Sequence, residues 1–151
     1  MKAVRGRSLA ALAVALSVLG CGGIPKTAPT QIVDLATNGF GSFLLLVYDE
    51  SGLVVNAASG EREEAVSNPQ AIAHPERNEV TVSWYGGACA HSPRLAVKGN
   101  AAVLIVELDP APLEFSLVTQ DCPLIGLFFA VTLNLAQPVE QNALTLTMLS
   151  Q

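Results

Sequence analysis

Period-two alternation of apolar and polar side chains recurs in four separate segments, and it constrains this chain more than any other feature. Glu79 to Tyr85 sets Val80, Val82 and Trp84 against Glu79, Thr81 and Ser83, and Leu113 to Thr119 sets Leu113, Phe115 and Leu117 against Glu114 and Ser116. Gly126 to Leu135 places Leu127, Phe129, Val131, Leu133 and Leu135 on one face. Ala143 to Leu149 places Leu144, Leu146 and Met148 opposite Thr145 and Thr147. Successive strand residues point to opposite faces, so each segment predicts a strand with one buried side.

Four more short apolar runs complete the pattern: Phe43 to Asp49, Leu53 to Ala58, Arg94 to Lys98 and Ala102 to Leu108. Glu50-Ser51-Gly52 predicts a hairpin between the first two, and Gly99-Asn100 a second hairpin between the last two. Eight candidate strands separated by turn signals predict an all-β, antiparallel sandwich of about seven to nine strands rather than a parallel α/β fold. Strand content should exceed about a third, well above the usual share, with Trp84, Phe115 and Phe129 in the interior. Ser59 to Asn78, with Pro69 and Pro75, is expected to be irregular, and Glu61 to Ile72 is its one place for a short helix.

The N-terminus predicts a destination. Lys2, Arg5 and Arg7 precede the uncharged run Leu9 to Leu19, and Gly20-Cys21 follows. This is the layout of a secretory signal peptide over 1–20 with a lipoprotein acylation site at Cys21. The apolar run is shorter than the roughly 20 residues that span a bilayer. Leu19 stands where a small residue is more usual, so ordinary cleavage and an unprocessed anchor are the alternatives. Gly22 to Thr30, with two prolines and no periodicity, predicts a flexible tether over 21–30, leaving one domain over 31–151.

Eight basic residues fall to five once Lys2, Arg5 and Arg7 are removed, against thirteen acidic ones, so the mature chain carries about −8. That balance disfavours nucleic acid and anionic lipid surfaces. Membrane attachment is therefore expected through the lipid on Cys21, palmitate included, with the protein exported and facing the periplasm or exterior from the cell membrane or outer membrane.

With Cys21 acylated, Cys89 and Cys122 remain as an even pair in an oxidising compartment. A Cys89–Cys122 disulfide is expected, worth about 3 to 4 kcal/mol by loop closure. A metal pair or one reactive thiol is the competing reading. His91 follows Cys89 by two residues, but no further Cys-x-His or Cys-x-x-Cys completes a ligand set. His74 sits beside Pro75.

The stretch Val131 to Met148, VTLNLAQPVEQNALTLTM, resembles the end of bacterial immunoglobulin-like domains, with a strand, a Pro-Val corner and a closing strand. WYGGAC with the later DCPLIG is also similar to uncharacterised secreted bacterial β-domains. The resemblance implies an immunoglobulin-like sandwich in a secreted lipoprotein and supplies no activity. Trp84 precedes both Cys89 and Cys122, whereas immunoglobulin domains place the Trp between their cysteines.

Signals for chemistry are sparse. There is no Gly-x-Ser-x-Gly elbow and no His-Glu-x-x-His; Ser42 after Gly39-Phe40-Gly41 reads as a turn. The carboxylate pairs Asp49/Glu50 and Glu63/Glu64 fall in turn or loop contexts, which lack the burial or close pairing that acid/base work needs. Asp49, Glu50 and Asp109 lack the spaced oxygens of an EF-hand. No catalytic residue, metal site or cofactor is expected. Tyr85, Gly86, Gly87 and His91 are the candidate recognition residues, since adjacent glycines permit close approach beside an exposed aromatic.

The expected function is a non-catalytic binding or structural module of the cell envelope that engages an envelope protein partner. An inhibitor of a hydrolase such as a lysozyme is the alternative, since an acidic surface suits a basic enzyme. Metal handling through His91 is the remaining one.

Overall fold

The computed structural model describes residues 28–35, 43–60, 68–87, 92–110 and 126–149. Strands make up 68% of these residues, and no α-helix occurs among them. The nine strands are β1 (Gln31–Leu35), β2 (Phe43–Asp49), β3 (Val54–Ser59), β4 (Gln70–His74), β5 (Glu79–Gly87), β6 (Arg94–Asn100), β7 (Val103–Asp109), β8 (Gly126–Leu135) and β9 (Leu144–Met148). They form a five-stranded sheet in the order β1-β2-β6-β7-β9 and a four-stranded sheet in the order β3-β8-β5-β4. The two sheets pack as a sandwich.

The alternation read from the sequence sets this packing. Val80, Val82 and Trp84 of β5, Val131 and Leu133 of β8, Leu45 and Val47 of β2, and Leu104, Val106 and Leu108 of β7 are fully excluded from water. Trp84 and Phe129 lie opposite each other on β5 and β8, with ring centroids 5.5 Å apart. Phe43 of the other sheet meets Phe129 at 5.4 Å. Aromatic contact of this kind adds to simple area burial, and here it joins the two layers.

Several expectations are corrected. The sheets are not wholly antiparallel: β2 pairs with β6, and β7 with β9, in parallel. Parallel neighbours need a crossover, and the chain supplies it by visiting the four-stranded sheet between them. For the same reason β2 and β3 are not a hairpin. Asp49 bends the chain between layers: its Oδ1 accepts from the backbone N–H groups of Ser51 (2.9 Å) and Gly52 (3.0 Å), and its Oδ2 from that of Val54 (3.0 Å). Gly52 does take the left-handed conformation expected of it, at φ +67°.

Ser59 to Asn78 is not all irregular, because Gln70–His74 forms β4 against β5. Its inward residues are Ala71 and Ala73, small side chains that leave almost no hydrophobic signature. β1 is a further strand that the alternation did not mark. The β6–β7 hairpin is present, but its loop is Ala101-Ala102, with Asn100 Oδ1 accepting from the N–H groups of Ala102 and Val103. Met148, expected inward, is 39% exposed, because β9 is the sheet's edge. The expected strand Leu113 to Thr119, with Phe115, lies outside the described residues, as do Cys21, Ser42, Cys89, His91 and Cys122, and with them the acylation site and the disulfide.

The register also gives the sandwich two poles. The connections 50–53, 75–78, 101–102 and 136–143 gather at one, and 36–42, 60–69, 88–93 and 110–125 begin and end at the other. At the first pole, Pro75–Arg77 forms a 3-10 turn closed by Asn78 at φ 55°, a left-handed conformation that Asn tolerates.

Candidate functional site

Of the recognition residues proposed from sequence, Tyr85 and Gly86 are described with their surroundings, Gly87 is placed in the β5–β8 ladder, and His91 lies outside the described residues. Alternation along β5 sends them to different faces. Gly86 points inward, where a Cβ would stand 3.0 Å from the Phe129 ring and 3.6 Å from Trp84 Nε1. It is thus a core residue that makes room for two aromatics, and not part of a surface.

Tyr85 points outward and is 57% exposed. The register pairs it with Phe128, and pairs Gly87 with Gly126 one step nearer the strand ends. The Tyr85 ring extends over Gly126, where a Cβ would come within 1.8 Å of the phenol carbon and oxygen. A glycine beneath an aromatic lets the ring lie down along the sheet instead of standing off it. Beyond it on the same face, Ser83 and Ala130 are buried, with Thr81 and Thr132 paired next. Tyr85 is thus the large exposed aromatic of this face, toward the second pole, with the small residues Ser83 and Ala130 covered beside it. Phe128 and Gly126 were missed by sequence reasoning, since their place beside Tyr85 depends on a cross-strand register.

The chemistry available here is contact: a phenol that donates or accepts a hydrogen bond and a ring that stacks. His74 is the one histidine among the described residues, on the edge strand β4 beside β5 and opposite Glu79 at the other pole, with its Nδ1 3.9 Å from Glu76 Oε1. Among the described residues no group of three or more His, Cys, Asp or Glu side chains converges as a metal ion needs. Asp109, weighed earlier as an oxygen ligand, faces Arg94 Nη2 at 3.2 Å, and Asp49 is occupied by its own turn.

Beneath this surface Trp84 Nε1 is buried with no hydrogen-bond partner among the described residues. An unpaired buried donor costs about 1 to 3 kcal/mol, which the burial of so large a ring offsets.

No family model, curated protein or solved structure matches this chain.

Proposed function

We propose that this chain is an exported, lipid-anchored, non-catalytic module of the cell envelope that binds a protein partner through the outer face of its four-stranded sheet, at Tyr85. The observation that carries the reading is the position of the attachment point. Thr30 is tied to the end of β2: its N–H donates to Val47 O at 2.8 Å, and its Oγ1 accepts from the Asp49 N–H at 3.1 Å. The chain arriving from Cys21 therefore joins the pole of the 50–53 and 75–78 turns, and Tyr85 stands toward the opposite pole, on the side turned away from an anchor.

An immunoglobulin-like relationship belongs to the same proposal and rests on Val131–Met148, where Pro138-Val139 turns the corner between β8 and β9. The Cys89–Cys122 disulfide, cleavage after Gly20 and acylation of Cys21 also belong to it. The acidic mature charge supports a partner with a basic surface and disfavours nucleic acid.

Two measurements test the reading. Mass spectrometry of the cell-derived N-terminus should find Cys21 diacylated or triacylated after loss of Met1 to Gly20, and an unmodified Cys21 would overturn the anchor. Cross-linked pull-down from envelope extract should recover a partner with the parent protein and not with Tyr85→Ala. Equal recovery by both removes Tyr85 from the interface, and recovery of a lysozyme or another hydrolase makes the protein an inhibitor.

A further inference from the structure

Among the described residues no further strand pairs with β3 or β4, the two outermost strands of the four-stranded sheet, and at each a glutamine side chain, one from β1 and one from the turn before β9, occupies backbone groups. On β3, Gln31 Oε1 accepts from the Ala57 N–H at 2.7 Å, while its Nε2 donates to Val55 O at 3.4 Å. On β4, Gln141 Oε1 accepts from the Ala73 N–H at 2.8 Å, and its Nε2 donates to Ala71 O at 3.2 Å. Both amides use the carbonyl of one residue and the N–H two residues later. That is the pair of groups a residue of a parallel neighbouring strand would engage. Gln31 opens β1, and Gln141 lies in the 3-10 turn Gln141–Ala143 before β9, so the two side chains close the sandwich along both of its open sides.

We propose that Gln31 and Gln141 act as one-residue surrogate strands that keep β3 and β4 from pairing with a second copy of this chain. Unpaired edges are templates for strand addition. Charge does not guard these stretches: Val54–Ser59 and Gln70–His74 contain no Lys, Arg, Asp, Glu or Pro, and Val55 is 66% exposed. Among the described residues, the two amides are what stand in the way at Val55–Ala57 and Ala71–Ala73. A full-length primary amide offers a donor and an acceptor at fixed separation, which a shortened side chain lacks.

Symmetry makes the consequence specific. One opened edge pairs with its own copy across a two-fold axis and stops at a dimer, whereas two opened edges extend without closing. Sedimentation velocity on the mature protein is expected to find the parent monomeric, Gln31→Ala and Gln141→Ala dimeric, and the double variant in larger species. Adding Val55→Lys to Gln31→Ala should restore the monomer by placing a charge on the opened edge. A double variant that sediments as a monomer wherever the parent does overturns the proposal, and so does a dimer of Gln31→Ala that survives Val55→Lys. Hydrogen exchange on the parent decides the matter should the variants not fold: the Ala57 and Ala73 amides are expected to exchange slowly, and unprotected rates at both would sink the idea.

Discussion

At the scale of single residues, the contacts around Phe129 and the glycines show which side chains the fold cannot exchange. Phe129 is 3% exposed and touches Trp84 on its own sheet and Phe43 on the other. Phe129→Ala should therefore cost about 3 to 5 kcal/mol in chemical denaturation, and a loss below about 1 kcal/mol would mean that the layers do not meet there. Gly99 and Gly126 form an instructive pair. The three atoms nearest a Cβ on Gly126 all belong to the far end of Tyr85, which can swing aside, so Gly126→Ala should cost under about 1 kcal/mol while shifting the Tyr85 ring resonances. On Gly99 the φ is +100° and a Cβ would fall 2.1 Å from the Val103 carbonyl oxygen, which is backbone and cannot yield. Gly99→Ala should cost about 1 to 3 kcal/mol or more, measured in the same way. The inward phase of Trp84 and the exposure of Tyr85 were legible in the sequence because alternation fixes them. The Gly126 shelf was not, because it takes a partner strand ten residues long to bring Gly126 under Tyr85.

At the scale of elements, strands were legible where several large aliphatics alternate and illegible where the run is as short as Val33 and Leu35 of β1 or the inward residues are alanines, as in β4. Pairing was harder still. Asp49 to Gly52 looks like a hairpin turn by composition, yet the same residues cross between layers, because Asp49 gathers the N–H groups of Ser51, Gly52 and Val54 instead of leaving them for a facing strand. Asp49→Ala should lower stability by about 1 to 3 kcal/mol, read from the denaturation midpoint, with Asp49→Asn losing less. Pairing also places Lys98 of β6 diagonally across from Glu107 of β7, with Nζ 2.8 Å from Oε2. The hydrogen bond to Glu107 raises the Lys98 ammonium above the ordinary lysine value of 10.5; burial opposes it, and the charges of Glu107 and then Glu50 add to the rise. A raised lysine favours the folded state fully below that ordinary value, and the gain disappears as pH climbs through the higher folded value. With both side chains partly exposed the pair is worth about 0.2 to 1 kcal/mol. Lys98→Met should reduce stability at neutral pH by that much and narrow the difference from the parent above pH 10.5. A difference unchanged at high pH would show that the aliphatic stem, and not the charge, matters.

At the scale of the whole molecule, the two poles follow from the register alone, and they give an anchored protein a direction. β1, β2 and β3 place Thr30, the Asp49 turn and the start of β3 together at the pole where the chain enters. From there β5 runs from Glu79 to Gly87, and six steps along the strand lead from Glu79 to Tyr85. At about 3.3 Å per residue the aromatic face stands roughly 20 Å along the sheet from the entry pole. The sequence placed the expected tether and the exposed aromatic in the chain, but not at opposite ends of a body, because that depends on how many times the chain crosses between sheets. If Cys21 carries the lipid, the 50–53 and 75–78 turns near the membrane and Tyr85 away from it are the favoured orientation. Nuclear magnetic resonance of the acylated protein on vesicles containing a gadolinium-chelating lipid measures it directly. The amides of Asn78, Ala101 and Ala102 should broaden more than those of Tyr85, Gly86 and Gly87, because relaxation falls steeply with distance from the headgroups. Equal broadening at both poles would mean that the anchor leaves the body free to tumble at the surface. The reverse gradient would put Tyr85 against the membrane and make lipid, not an envelope protein, the surface it meets.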